Sequence, residues 1–244
     1  MSELVVGSIG IMIAALLGGA TGFGFGLVAA PSLLAAGLPL RAVVAVNLTL
    51  ALLTRLPSAW QLRRHLVWPR AGRLILGSIP GILVGFAVRS VIDADMLKIL
   101  AGVVAVGAAV MLTFRSDDTR TDTARPSAVL VAGACGGFLG VTTSLNGVPP
   151  ALLLTRDRVE PLSFIADLTV YFVASNILTL TLLTASDPAT LGALGRYVLV
   201  WLPVGLLGNQ VGVRSARFLP YRVFRGISLS VVLIAGCFTV ASAL

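Results

Sequence analysis

Four polar residues crowd one point of an otherwise apolar stretch. Thr142, Thr143, Ser144 and Asn146 follow Gly136-Gly137-Phe138-Leu139-Gly140 and precede Pro149-Pro150. Hydroxyl and amide side chains beside unpaired backbone N–H groups make a set of neutral donors suited to a small anion. An earlier stretch has the same skeleton: Gly18-Gly19-Ala20-Thr21-Gly22-Phe23-Gly24-Phe25-Gly26, reaching Pro31. Adding 118 to Gly18, Gly19, Gly22 and Pro31 gives Gly136, Gly137, Gly140 and Pro149. Here the donors would be backbone groups, because Gly24 and Gly26 let a ligand approach the main chain closely. Apolar segments interrupted at matching places in two halves point to a transporter's binding site. Close helix packing is the competing reading, since Gly18xxxGly22, Gly136xxxGly140, Gly81xxxGly85 and Gly208xxxGly212 all have small-residue spacing.

Two charged residues stand within apolar runs. Asp167 lies seven residues past Glu160. A carboxylate inside a membrane is expensive and faces a cavity or a partner, which makes Asp167 the candidate proton carrier. The alternative is a carboxylate near the interface, hydrogen-bonded to a neighbouring helix. Its counterpart in the first half is the neutral Asn47, which joins the binding candidates. Arg55 offers a planar guanidinium fork that matches sulfonate or carboxylate oxygens. The alternative for Arg55 is snorkelling to a surface marked by Arg63 and Arg64. Asn176, Asn209 and Gln210 are expected to bond between helices. Trp60, Trp68 and Trp201 read as interfacial anchors, and Cys135 as a small packing residue.

The composition sets the environment. Of 244 residues, 57% are hydrophobic and 11% charged, and mean hydropathy is +0.99. A soluble domain carries about 25% charged residues. The chain is therefore read as an all-α polytopic membrane protein. Its net charge of +8 is scattered through short segments between apolar runs, so cytoplasmic loops explain it and nucleic acid is not expected as a partner. Two cysteines and one histidine, His65 in a basic loop, give no metal-ligand spacing and no cofactor signature. With no GxSxG, no HExxH and one deep acid, an enzyme is not expected.

About eight hydrophobic helices are expected: Leu4 to Ala20, Ala42 to Trp60, Leu74 to Val91, Met96 to Phe114, Ser127 to Val141, Leu162 to Thr184, Tyr197 to Val213 and Val223 to Leu244. Leu27 to Leu38 and Val148 to Thr155 are too short to cross alone, and the helix after each break is expected to start near Pro31 or Pro149. The polar stretch 115–126, with three Arg and three Asp, divides a first repeat at 1–114 from a second at 127–244. Asn47-Leu48-Thr49 aligns with Asp167-Leu168-Thr169, and Pro80 and Gly85 align with Pro203 and Gly208. Four plain crossings per half would leave eight Lys/Arg in the loops of one side and nine on the other. Treating each glycine segment as a re-entrant tip collects thirteen arginines on one side and leaves Arg41, Arg89, Lys98 and Arg196 on the other. The positive-inside rule favours the second arrangement, in which two homologous halves form inverted repeats with both termini outside.

The Gly-rich segment ending at proline, repeated in the second half, resembles the sulfite exporter TauE/SafE family. So does Pro80-Gly81 with Gly85 ahead of a turn and another apolar span. The resemblance implies a secondary transporter of sulfite, sulfoacetate or another organosulfonate in a bacterial-type plasma membrane. It carries the family's motif onto Gly22, Gly24, Gly26, Pro31, Gly140 and Pro149. The chain departs from the family where Thr142, Thr143 and Ser144 replace glycines. The partners expected are a small anionic substrate, a coupling ion such as a proton, the lipid bilayer and, as a candidate assembly, a homodimer. A different small anion, or a scaffold that carries nothing, are the competing functions.

Overall fold

The computed structural model describes residues 2–38, 40–88, 125–143, 146–186 and 194–241, with isolated positions between 99 and 110. These contain helices α1 (Ser2–Thr21), α2 (Phe25–Ala35), α3 (Leu40–Gln61), α4 (Trp68–Val88), α5 (Pro126–Thr143), α6 (Val148–Arg156), α7 (Pro161–Ser186), α8 (Leu194–Ala216) and α9 (Tyr221–Ala241). No strand occurs among the described residues. Four of the helices carry stretches long and apolar enough to cross a bilayer: Leu4–Thr21, Ala42–Gln61, Trp68–Val88 and Pro161–Ser186. The span expected from Met96 to Phe114 and the polar stretch 115–126 lie almost entirely outside the described residues.

Both glycine segments turn the chain back on itself. Gly18 of α1 meets Phe25 at the start of α2, and Gly10 meets Ser32 further along. In the second half, Gly140 of α5 meets Asn146, and Gly136 meets Pro150 of α6. The downstream helix of the first pair starts at Phe25, six residues before the proline expected to open it. Pro31 lies inside α2 instead. The break falls earlier because Gly22 (φ 79°) and Gly24 (φ 92°) adopt left-handed conformations, which only glycine takes at little cost. In the second pair Pro149 and Pro150 do open the helix, where their missing N–H groups matter least.

Glycine also sets which helices touch. A Cβ on Gly77 or Gly81 of α4 would overlap the carbonyls of Leu130 or Ala134 on α5. Reciprocally, a Cβ on Gly133 or Gly137 would overlap Leu74 or Ser78. These contacts rise together in number, so α4 and α5 run parallel. A second seam joins α1 to α8. Trp201 lies over Gly7, Gly208 over Met12 and Ala15, and Gly212 over Leu16 and Gly19, so this pair is parallel too. The most extensive helix pairings are thus α4 with α5 and α1 with α8. The packing role expected of Gly81xxxGly85 and Gly208xxxGly212 is what the backbone requires.

Polar side chains bridge the same elements. Asn209 Nδ2 on α8 donates to the Thr54 carbonyl at 2.9 Å and to Ser58 Oγ at 2.5 Å on α3. Gln61 Nε2 donates to Gln210 Oε1 at 2.7 Å. Thr54 also faces Gly205, so α3 runs parallel to α8.

Two expectations need correction. Trp201 is no interfacial anchor: it is fully buried, stacks on Tyr197 at 5.2 Å and donates Nε1–H to the Leu4 carbonyl at 3.3 Å. The absent side chain of Gly7 makes room for its ring. Cys135 is exposed and does not pack the helix interface. Gly133 and Gly137 do that, because a thiol could not fit where backbones nearly touch. Trp60 and Trp68 are exposed, as anchors should be.

Candidate functional site

The two tips meet. Phe23, Gly24, Phe25, Gly26 and Leu27 from the first, and Gly140, Val141, Asn146, Gly147 and Val148 from the second, line one cavity of about 190 Å³. Helix α3 adds Asn47, Leu48, Ala51 and Arg55, and α7 adds Phe172, Asn176, Thr179 and Leu183. The lining continues to Leu34 and Val44.

The tips differ in the donors they offer. Helix α2 begins at Gly24, and no side chain caps it, so its first N–H groups and the positive end of its dipole are available. The Thr21 hydroxyl holds the tip in shape, donating to the Phe23 carbonyl at 2.6 Å and accepting the Phe23 N–H at 3.4 Å. Helix α6 begins at Gly147, again without a side-chain cap, but Pro149 and Pro150 have no N–H to give. There the Asn146 amide supplies the polar group at the cavity wall. The Asn146 backbone is fixed from behind, its carbonyl accepting the buried Tyr171 hydroxyl at 3.2 Å.

Arg55 is the charged residue of the described lining. Only 5% of it is exposed. Its guanidinium carbon sits 4.4 Å from the centre of the Phe172 ring and 6.0 Å from that of Phe25. Nη1 reaches its own helix at the Ala51 carbonyl, 3.3 Å away. No carboxylate among the described residues pairs with it; Asp167 is paired with Arg70. About two turns away along α3, the buried Asn47 Oδ1 has no hydrogen-bond partner among the described residues, and the same amide lies over Gly26, where a Cβ would come within 3.3 Å of Nδ2.

The cavity brings together five of the sequence candidates: Gly24, Gly26, Asn47, Arg55 and Asn146. Thr142 does not line it, and its hydroxyl donates back to the Phe138 carbonyl at 2.9 Å. Ser144 and the side chain of Thr143 fall outside the described residues. Asp167 is fully buried away from the cavity lining. It accepts the Val67 N–H at 2.9 Å and pairs with Arg70 Nε. Snorkelling does not describe Arg55, whose head is enclosed between two rings. Phe172 was invisible in the sequence, as one phenylalanine in an apolar run. Asn176 stood out as polar but carried no sign that it faced a cavity.

The described residues hold no group of three or more His, Cys, Asp or Glu that could bind a metal. What the cavity can do is hold an anion, with a desolvated guanidinium, uncapped helix N–H groups and amides, between apolar walls. Of the four helices able to span a bilayer, α3 and α7 line it. Neither a comparison with curated proteins nor one with solved structures gives a significant match. A family model does match residues 8–239, nearly the whole chain, and by that match the chain belongs to the sulfite exporter TauE/SafE family.

Proposed function

We propose that this chain is a secondary transporter that carries a small sulfur-containing anion across a bacterial-type inner membrane, with the anion held between the two hairpin tips. The observation that carries this reading is Arg55: a guanidinium buried in a membrane helix, lining a cavity, with no carboxylate partner among the described residues. Ionisable groups inside a membrane mark substrate paths. Family membership supports the class of cargo.

Helix directions support inverted repeats. Helices α1, α3 and α8 run one way through the contacts given above. Helices α3 and α4 are joined by a six-residue turn and reverse direction, and α5 runs with α4. The first helix of each half therefore points the opposite way. The thirteen-to-four distribution of basic residues supports placing the Arg63–Arg73 turn in the cytoplasm.

On that placement the cavity faces outward. Its lining reaches Leu34, Val44 and Leu183, at the ends of α2, α3 and α7 away from the basic turn. The cytoplasmic side is closed by Phe23, Phe164 and Phe224, whose rings pack at 6.3 and 5.1 Å, and by the Asp167–Arg70 pair. Alternating access requires those contacts to part while the outer ends of α2, α3 and α7 close. The absence of Asp167 from the cavity favours a holding role for it over proton carriage. An ion gradient or the substrate's own gradient supplies the driving force.

Uptake of radiolabelled small sulfonates and sulfite into proteoliposomes tests the reading. Saturable flux above that of protein-free vesicles is expected. Flux equal to theirs for every anion overturns it.

A further inference from the structure

Arg55 carries a full charge on a long, flexible side chain, and polar groups do little to hold it. Its one hydrogen bond among the described residues is the 3.3 Å contact from Nη1 to the Ala51 carbonyl of its own helix. No carboxylate among those residues pairs with it, yet only 5% of it is exposed. An arginine has many rotamers to lose, so another contact must aim its head at the cavity. The groups that meet the head are aromatic. Phe172 of α7 has its ring centre 4.4 Å from the guanidinium carbon, and Phe25 lies further off at 6.0 Å. The attraction of a cation to a ring fades near 6 Å, so Phe172 supplies most of it.

A ring does for this cation what a carboxylate cannot. Its negative face attracts the charge without cancelling it. Stacking engages the flat face of a guanidinium, whereas the five N–H donors lie in the plane. A carboxylate in the same place would neutralise the charge and occupy two of those donors. With Phe172 there, charge and donors stay available to an anion.

Phe172 is itself fixed. It is 3% exposed. A Cβ on Gly147 would come within 2.8 Å of its Cζ, so the second tip backs the edge of the ring. The Tyr171 ring meets it at 5.2 Å, edge to face, and the Tyr171 hydroxyl donates to the Asn146 carbonyl. Two adjacent aromatic residues of α7 therefore set Arg55 of the first half in register with Asn146 of the second, and both line the same cavity.

We infer that Phe172 is a positioning residue for the anion site: the face of its ring holds the Arg55 guanidinium toward the cavity, with its charge uncancelled and its donors free for the anion. The inference rests on the transport reading above and extends it to an uncharged residue.

The test uses the purified full chain in proteoliposomes, with radiolabelled sulfite, methanesulfonate and propanesulfonate as probes. Phenylalanines bearing one, two and three ring fluorines, placed at position 172, weaken the negative face of the ring while nearly keeping its size. KM is expected to rise about twofold with each fluorine, with maximal flux and melting temperature unchanged. The same series at Phe25 should move KM less. Phe172→Leu keeps an apolar side chain without the ring and should raise KM at least about fivefold. The fluorine series stands even if Phe172→Leu does not fold. A KM indifferent to fluorination, a melting temperature that falls in step with it, or an effect at Phe25 as large as at Phe172 overturns the inference while leaving anion transport intact. A wild-type chain that moves none of the probes overturns the transport reading and this inference with it.

Discussion

Asp167 of α7 holds the turn between α3 and α4: its carboxylate accepts the Val67 N–H at 2.9 Å and pairs with Arg70 Nε. A group that looked like a proton carrier in the sequence is occupied on both oxygens, by Val67 of the turn and Arg70 of α4. The first prediction follows from that occupation. Asp167→Asn leaves Arg70 facing a neutral amide and should lower stability by ~1–3 kcal/mol, below the full cost of breaking a buried pair because Arg70 is 22% exposed. Thermal melting in detergent checks this. The pH dependence of transport should be unchanged in the variant. A flattened pH profile would restore Asp167 as the proton carrier.

The glycine seams make a sharper prediction about packing. Gly81→Ala places a Cβ against the Ala134 carbonyl, whereas a Cβ on Gly72 meets nothing within 4 Å. Gly81→Ala should destabilise the protein by about 1–3 kcal/mol, as overpacking between two backbones does. Gly72→Ala, in the same helix, should be neutral or stabilising by up to about 1 kcal/mol through helix propensity. Paired melting curves decide it, and equal effects from the two substitutions would contradict the parallel α4–α5 seam.

Two glycines at the first tip should separate in their effects. Gly24 has φ 92° and a Cβ there would sit 3.1 Å from Val231, so Gly24→Ala strains the tip and should lower both melting temperature and transport. Gly26 has ordinary helical geometry, and its Cβ would press on the Asn47 amide at 3.3 Å. Gly26→Ala should therefore leave melting nearly unchanged and raise KM severalfold by narrowing the cavity. Loss of folding in both would show that the tips are structural throughout.

The outward orientation is open to chemical labelling. In a background lacking Cys135 and Cys237, Leu183→Cys and Leu34→Cys should react with a membrane-impermeant thiol reagent added outside, and substrate should protect them. Phe164→Cys, deep in the opposite aromatic cluster at 1% exposure, should stay unreactive from that side. Labelling of Phe164→Cys alone from outside would reverse the orientation.

The architecture was legible where glycine and proline interrupt apolar runs, because lipid leaves the chain few ways to satisfy a broken helix. The two chain reversals follow from that constraint, and Gly24, Gly26 and Asn146 line one cavity. The start of α2 was misplaced because proline is the louder signal, while the turn is set by positive φ at Gly22 and Gly24. Trp201 was misjudged because an aromatic near a span end reads the same whether it meets a headgroup or a glycine on another helix. The contacts of Asp167 and Arg55 were not readable. Each depends on one partner about 100 residues away or more, Arg70 in one case and Phe172 in the other. Periodicity within a single helix does not encode such a contact.

The pairing of α1 with α8 has a consequence for biosynthesis. Gly19 lies directly against the Asn209 carbonyl, and Gly212 against that of Leu16, so one face of α1 has no partner until the ribosome has made nearly two hundred further residues. The parallel seam of α4 and α5 closes much sooner. Assembly in the membrane therefore closes the α1–α2 hairpin and the α4–α5 seam early and finishes by returning to the first helix. During that interval α1 presents a groove of small residues to lipid or to the insertion machinery.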